Sequence, residues 1–128
     1  MKRSVFFLVS ALLGVVFGAM MFFTPANAAT GFGMSATTDN TALFRALGAM
    51  ILSSGLMNFL VRSHDDSPTL RAVLLTNVIT HVLGMVADLW AVSDGALQLA
   101  KAAPGQAAHL FVGIGSLVYL MRMRGSGV

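Results

Sequence analysis

Four long apolar stretches, separated by short polar ones, set the pattern of the chain. The first runs from Ser4 to Thr24 and holds no charge. The second, Ala42 to Val61, holds only Arg45. The third, Leu70 to Val92, holds Arg71 at its start and Asp88 near its end, and the fourth, from about Gln106 to Met121, is the shortest. About 20 predominantly apolar residues in a helix cross a bilayer core. The pattern therefore predicts membrane-spanning helices at about 4–24, 42–61, 70–92 and 106–121. Pro25, Pro68 and Pro104 fall between the stretches, where a missing N–H is tolerated. Ser67 followed by Pro68 reads as an N-cap and first helical residue. Ser93-Asp94-Gly95 reads as a terminating turn, with Gly95 able to take a left-handed conformation. The segment 96–103 has helix-forming composition and is expected to lie on the membrane surface until Pro104-Gly105 breaks it.

Composition strengthens this reading. Apolar residues make up 56% of the 128 and charged residues only 10%, against about 25% charged in an ordinary soluble domain; mean hydropathy is +0.80. The expected fold is all-α: a single membrane domain, residues 1–128, built as a transmembrane four-helix bundle with the lipid bilayer as its first partner. The absence of cysteine excludes disulfides, thiolate zinc sites and iron–sulfur clusters. The 8 Lys and Arg form no stripe, so no nucleic-acid partner is expected. Lys2, Arg3, Arg62, Arg71, Arg122 and Arg124 fall on one side of the membrane, against Arg45 and Lys101 on the other, which puts both termini in the cytoplasm. Trp90 and Tyr119 fall at headgroup depth as interfacial anchors. Residues 62–69 read as a solvated link, since Asp65 and Asp66 beside His64 make a poor cation site.

Residues 1–28 also carry marks of a signal peptide: Met1-Lys2-Arg3 as a basic start and Ala26-Asn27-Ala28 as an A-x-A cleavage site. The apolar run from Val5 to Phe23 exceeds the about 7–15 residues of a typical signal-peptide core. Gly14 and Gly18 add a spacing that lets helix backbones approach closely. A retained first helix is expected; cleavage before Ala29 would leave three.

Small and polar residues mark packed faces in lipid. They are Ala11, Gly14 and Gly18 on the first helix, Ala42, Ala46, Ala49 and Ser53 on the second, and His109, Gly113 and Ser116 on the fourth. On the third, Asn77, Thr80, His81, Gly84 and Asp88 fall within an arc of about 100°. Such a stripe faces the bundle interior or a water-filled cavity, because a central Asp in lipid costs at least about 2.5 kcal/mol. Counting residues from the helix ends sets Arg45, Asp88 and His109 in the outer third of the membrane. Arg45 is therefore expected to pair with Asp88, with His109 as a third member, either as a structural ion pair or as the mouth of a proton path. His81 lies about 10 Å deeper than Asp88. It is expected to bond Asn77, Ser53 or a backbone carbonyl, or to act as a relay, since imidazole titrates near neutral pH. A bis-His haem needs His81 and His109 at one depth, and the same counting separates them by about 10 Å, so no cofactor is expected. The nine Met and nine Phe read as lipid-facing and gap-filling bulk. No nucleophile–base spacing, phosphate loop or H-E-x-x-H motif occurs and carboxylates are too few for a metal site, which argues against an enzyme.

The block Phe44-Arg45-Ala46-Leu47-Gly48-Ala49, continuing to Gly55 and closing with Arg62, resembles a second-helix pattern of small bacterial four-helix membrane proteins of unknown function. Ala29-Thr30-Gly31-Phe32-Gly33 before it and Asp94-Gly95 after the third helix look similar too. More distantly, the layout is similar to the DoxX-like group. The resemblance implies a retained first helix and a bacterial inner-membrane address, and it brings no catalytic residue. The expected function is a structural or accessory membrane subunit, packing as a homo-oligomer or within a larger membrane complex. The alternative is a small transporter or proton-conducting module using Asp88, His81, Arg45 and His109.

Overall fold

The computed structural model describes residues 1–123 and is all-helical. Among the described residues it has five helices: α1 (Arg3–Phe23), α2 (Pro25–Gly31), α3 (Thr38–Val61), α4 (Pro68–Ser93) and α5 (Leu99–Arg122). By length and composition, α1, α3 and α4 are each able to cross a membrane.

Local chemistry sets the helix ends. The Thr37 hydroxyl accepts from Asn40 N at 3.2 Å and the Ser67 hydroxyl from Leu70 N at 3.1 Å, so both side chains satisfy an otherwise unpaired first-turn donor. Pro68 opens α4, and Gly95, at φ +73°, takes the left-handed turn after it.

The helices pack as two intimate pairs. Along α1 and α3, backbone meets backbone. A Cβ added to Gly14 would lie 2.8 Å from Gly55 Cα, and one added to Gly48 would lie 2.5 Å from Phe22 N. This close approach extends van der Waals contact between helices, the main attraction available in lipid. The seam on α3 is therefore Phe44, Gly48, Gly55 and Asn58, all buried. The expected seam of Ala42, Ala46, Ala49 and Ser53 lies roughly 180° around the helix, with Ala42, Ala46 and Ser53 exposed. Alanine is small, yet its Cβ still prevents the contact glycine permits.

Along α4 and α5 the spacing is set by side chains lying over glycines, described below. Phe6, Phe7, Leu70, Leu74 and Val112 form a buried core joining α1, α4 and α5, with Val61 of α3 packed against it. This core lies at the end of the molecule that carries Arg3 and Arg62, the basic end. Here Arg3 pairs with Asp66 and donates to His64 O at 2.7 Å, so the 62–69 link is clamped to the start of α1 rather than simply solvated. A second core of Met21, Ala28, Ala29 and Phe44 secures α2 against α1 and α3.

α5 differs from the helix expected at 106–121. It begins at Leu99, and Pro104 sits inside it as the sixth residue. The segment 96–103 is therefore not a separate surface helix broken at Pro104-Gly105. Proline removes one bond, to Ala100 O, while the Ala-rich turn before it favours helix. Ala102, fully buried, anchors that turn by packing.

Candidate functional site

On α4, residues 77, 81, 84 and 88 are spaced four, three and four apart, which stacks them on one face. α5 runs antiparallel beside it and presents Gln106, His109 and Gly113, spaced three and four. The two faces interlock reciprocally. A Cβ on Gly84 would lie 2.5 Å from His109 Cε1, and one on Gly113 would lie 3.3 Å from His81 Cβ. The His109 imidazole thus occupies the space left by Gly84, and the Cβ of His81 packs against Gly113. Asp88 lies beside Gly105 with room to spare: a Cβ there would stand in ordinary contact, 3.5 Å from its Oδ2.

This packing strings three titratable groups together. Gln106 Nε2 donates to Asp88 Oδ2 at 2.9 Å. His109 Nε2 lies 3.7 Å from the same oxygen, in close polar contact but beyond an ordinary hydrogen bond. On its other side, His109 Nδ1 lies 2.9 Å from His81 Nδ1, with ring centroids 5.1 Å apart. A hydrogen bond between two Nδ1 atoms needs one proton, so the rings must differ in tautomer. The Asp88 carboxylate favours the His109 proton on Nε2. His109 Nδ1 then accepts, and His81 Nδ1 donates. All three side chains are half-buried. Beside them lies a shallow groove of about 100 Å³, walled by Val82, Met85, Leu110 and Ile114 and containing both histidines.

One turn further towards the basic end, Asn77 Nδ2 donates to Asn58 Oδ1 at 2.8 Å. Both asparagines are buried, and their bond links α4 to α3. Beyond them, the hydroxyls of Ser10 and Ser116 are buried without a hydrogen-bond partner among the described residues.

The expected cluster of Arg45, Asp88 and His109 is brought together in part. Asp88 and His109 meet. Arg45 is exposed on α3, and among the described residues no hydrogen bond or ion pair joins it to Asp88. The seam that α3 turns to α1 leaves Arg45 about 100° off the Phe44 direction. The α3–α4 link is made by Asn58 and Asn77, far along both helices from Arg45 and Asp88. Of the expected stripe, Asn77 and His81 face other helices, whereas Thr80, at the edge of the arc, is exposed.

The expected 10 Å separation of His81 and His109 is overturned by the 2.9 Å contact between them. The cause is the start of α5. His109 is its eleventh residue, not the fourth of a helix beginning at 106, and it packs over Gly84, about 6 Å deeper than Asp88. Sequence reasoning also missed Gln106 as the partner of Asp88, although its position three residues before His109 put it on the same face. Among the described residues, no group of three His, Asp or Glu side chains could hold a metal ion. His109 meets its two neighbours through opposite ring nitrogens, so the three cannot converge on one ion. They form a chain instead. No family model, curated protein or solved structure matches this sequence.

Proposed function

We propose that this chain is a four-pass membrane protein whose α4–α5 hairpin carries a proton relay, Asp88–His109–His81. The observation that carries this reading is the bridging position of His109, with Asp88 at Nε2 and His81 at Nδ1. An imidazole so placed can accept a proton on one nitrogen and release one from the other. From the tautomers derived above, a proton taken up at His81 Nε2 lets His81 pass its Nδ1 proton to His109 Nδ1. His109 then releases its Nε2 proton to Asp88, which becomes a neutral acid. One proton enters and one is delivered; the new tautomers run the same steps in reverse.

Membrane placement is supported by the outward faces. Leu12, Val16, Met50, Leu60 and Leu83 are all more than half exposed, an apolar surface unusual for a monomer in water. α5 has 24 residues, about 36 Å of helix, and runs beside α4 for a fourth crossing. A retained first helix is supported by its backbone contact with α3, whose Gly48 and Gly55 would otherwise lie bare. Ala28 and Ala29, on either side of the A-x-A cut, are buried within or against α2 and α3.

The test is purified full-length protein in vesicles loaded with a pH-sensitive dye, together with native purification from membranes. Proton exchange above that of protein-free vesicles, or of a co-purified complex, should fall at least about tenfold in Asp88→Asn and His109→Leu, with helix content retained. Exchange equal in both variants and the wild type would overturn the relay.

A further inference from the structure

A second groove lies on the adjoining face of α5, and Leu110 and Ile114 border both it and the groove beside the histidines. Leu110, Ile114, Val118 and Arg122 recur every four residues and form one ridge along the helix. They border a groove of about 480 Å³ whose floor is Phe6 and Gly115. Gly115 makes this floor possible, because a Cβ there would collide with the Phe6 ring. The volume falls within the about 300–1,000 Å³ typical of small-ligand sites.

The groove is apolar along most of its length and polar at one end. From Leu110 to Val118 the ridge rises about 12 Å, and Arg122 follows about 6 Å further on. One leaflet of a bilayer core is about 15 Å thick. The apolar portion therefore matches an acyl chain, with Arg122 at headgroup depth. Tyr119 stands beside Arg122, and its hydroxyl donates to Met1 O at 2.6 Å, which closes the polar end. Lys2, exposed, follows Met1. Arg3, next in the chain, is paired with Asp66. The end of the groove is thus cationic, suited to phosphate.

We propose that this groove is a binding site for one anionic phospholipid, with an acyl chain along Leu110–Val118 and the phosphate at Arg122. The site rests on the membrane placement of the chain and not on the relay, and its test reads lipid rather than protons. A guanidinium suits the role because its planar fork can bond two phosphate oxygens at once.

The experiment measures retention of phosphatidylglycerol and phosphatidylcholine with identical acyl chains on the full-length protein, by native mass spectrometry from detergent. A single well-placed cation corresponds to about a fivefold preference for the anionic lipid. The wild type should show it. Arg122→Gln should reduce it to near parity, lowering phosphatidylglycerol retention more than that of phosphatidylcholine, whose phosphate also loses the guanidinium but whose choline cation offsets its charge. Ile114→Trp, which fills the groove, should lower retention of both lipids, whereas Leu56→Trp on the exposed face of α3 should lower neither. Equal retention of the two lipids by the wild type, or an undiminished preference in Arg122→Gln, would overturn the proposal. So would a dimer cross-linked through Leu110→Cys with a yield unaffected by added lipid, since a second copy would then fill the groove. Proton exchange serves as the separating control: loss of the relay with lipid preference intact leaves this site standing.

Discussion

Gly84→Ala isolates the relay geometry from the relay chemistry, because it alters no titratable group. The added Cβ would lie 2.5 Å from His109 Cε1, 2.9 Å from Nε2 and 3.1 Å from Nδ1. To restore an ordinary contact of 3.4 Å, the imidazole must retreat by about 0.9 Å, the difference between 3.4 and 2.5. The His109–His81 bond starts at 2.9 Å. A retreat directed along it would stretch it to about 3.8 Å, beyond hydrogen-bond range. The cost combines overpacking, about 1–3 kcal/mol, with one lost hydrogen bond, about 0.5–1.5 kcal/mol. The matched control is Gly113→Ala on the facing helix. Its Cβ would lie 3.3 Å from His81 Cβ, a contact relieved by about 0.1 Å of movement, so its cost should stay below about 1 kcal/mol. Thermal unfolding in detergent, followed by circular dichroism, measures stability, and proton exchange in vesicles measures function. Gly84→Ala should lower the melting temperature clearly and reduce exchange about tenfold or more, with helix content preserved; Gly113→Ala should do neither to a comparable degree. Equal effects from the two glycines, or full exchange in Gly84→Ala, would refute the claim that the 2.9 Å contact carries the proton.

Three further outcomes follow from the packing. Gly48→Ala should destabilise by about 1–3 kcal/mol, because its Cβ meets the immovable backbone of α1 at Phe22 N and Gly18 O. Gly31→Ala has nothing within 4 Å and should be neutral or stabilise by up to about 1 kcal/mol; detergent unfolding of both variants checks the contrast. Arg45→Ala and Asp88→Ala should be additive within about 0.5 kcal/mol, whereas Asp88→Ala and His109→Ala should couple by more than that in a double-mutant cycle. Asn58→Ala should cost about 1–3 kcal/mol by stranding the Asn77 amide in a buried site, and the double change Asn58→Leu with Asn77→Leu should cost less than the two single changes summed.

Much of this architecture is legible in the apolar pattern, because length and hydropathy alone mark α1, α3 and α4. The Ser67–Pro68 start and the Gly95 turn follow from side-chain caps and a left-handed glycine, which act within a few residues and need no tertiary information. Ala11, Gly14 and Gly18 could be read as the packed face of α1 for a related reason: two glycines one turn apart permit contact that few other residues allow. The face of α3 could not be read by size alone. It offers two candidate seams, one rich in alanine and one in glycine, and the choice depends on α1 bringing its own glycines into register.

The relay shows where counting residues fails. Faces on α4 follow from helical periodicity, and periodicity put Asn77, His81, Gly84 and Asp88 together without reference to any neighbour. Depth on α5 is another kind of quantity, because every position inherits the error in the first residue. Pro104 reads locally as a break, and a start after it set His109 level with Asp88 and apart from His81. The helix instead begins at Leu99 and runs through Pro104, with Ala102 fully buried in the turn before it. With that start His109 packs over Gly84, midway along α4, and its two nitrogens face Asp88 and His81. The same start brings Gln106, rather than Arg45, to the Asp88 carboxylate. An amide holds one carboxylate oxygen without neutralising it. Gln106 and His109 both approach the single oxygen Oδ2 of Asp88, so the carboxylate is held without the bidentate pairing that a guanidinium would impose.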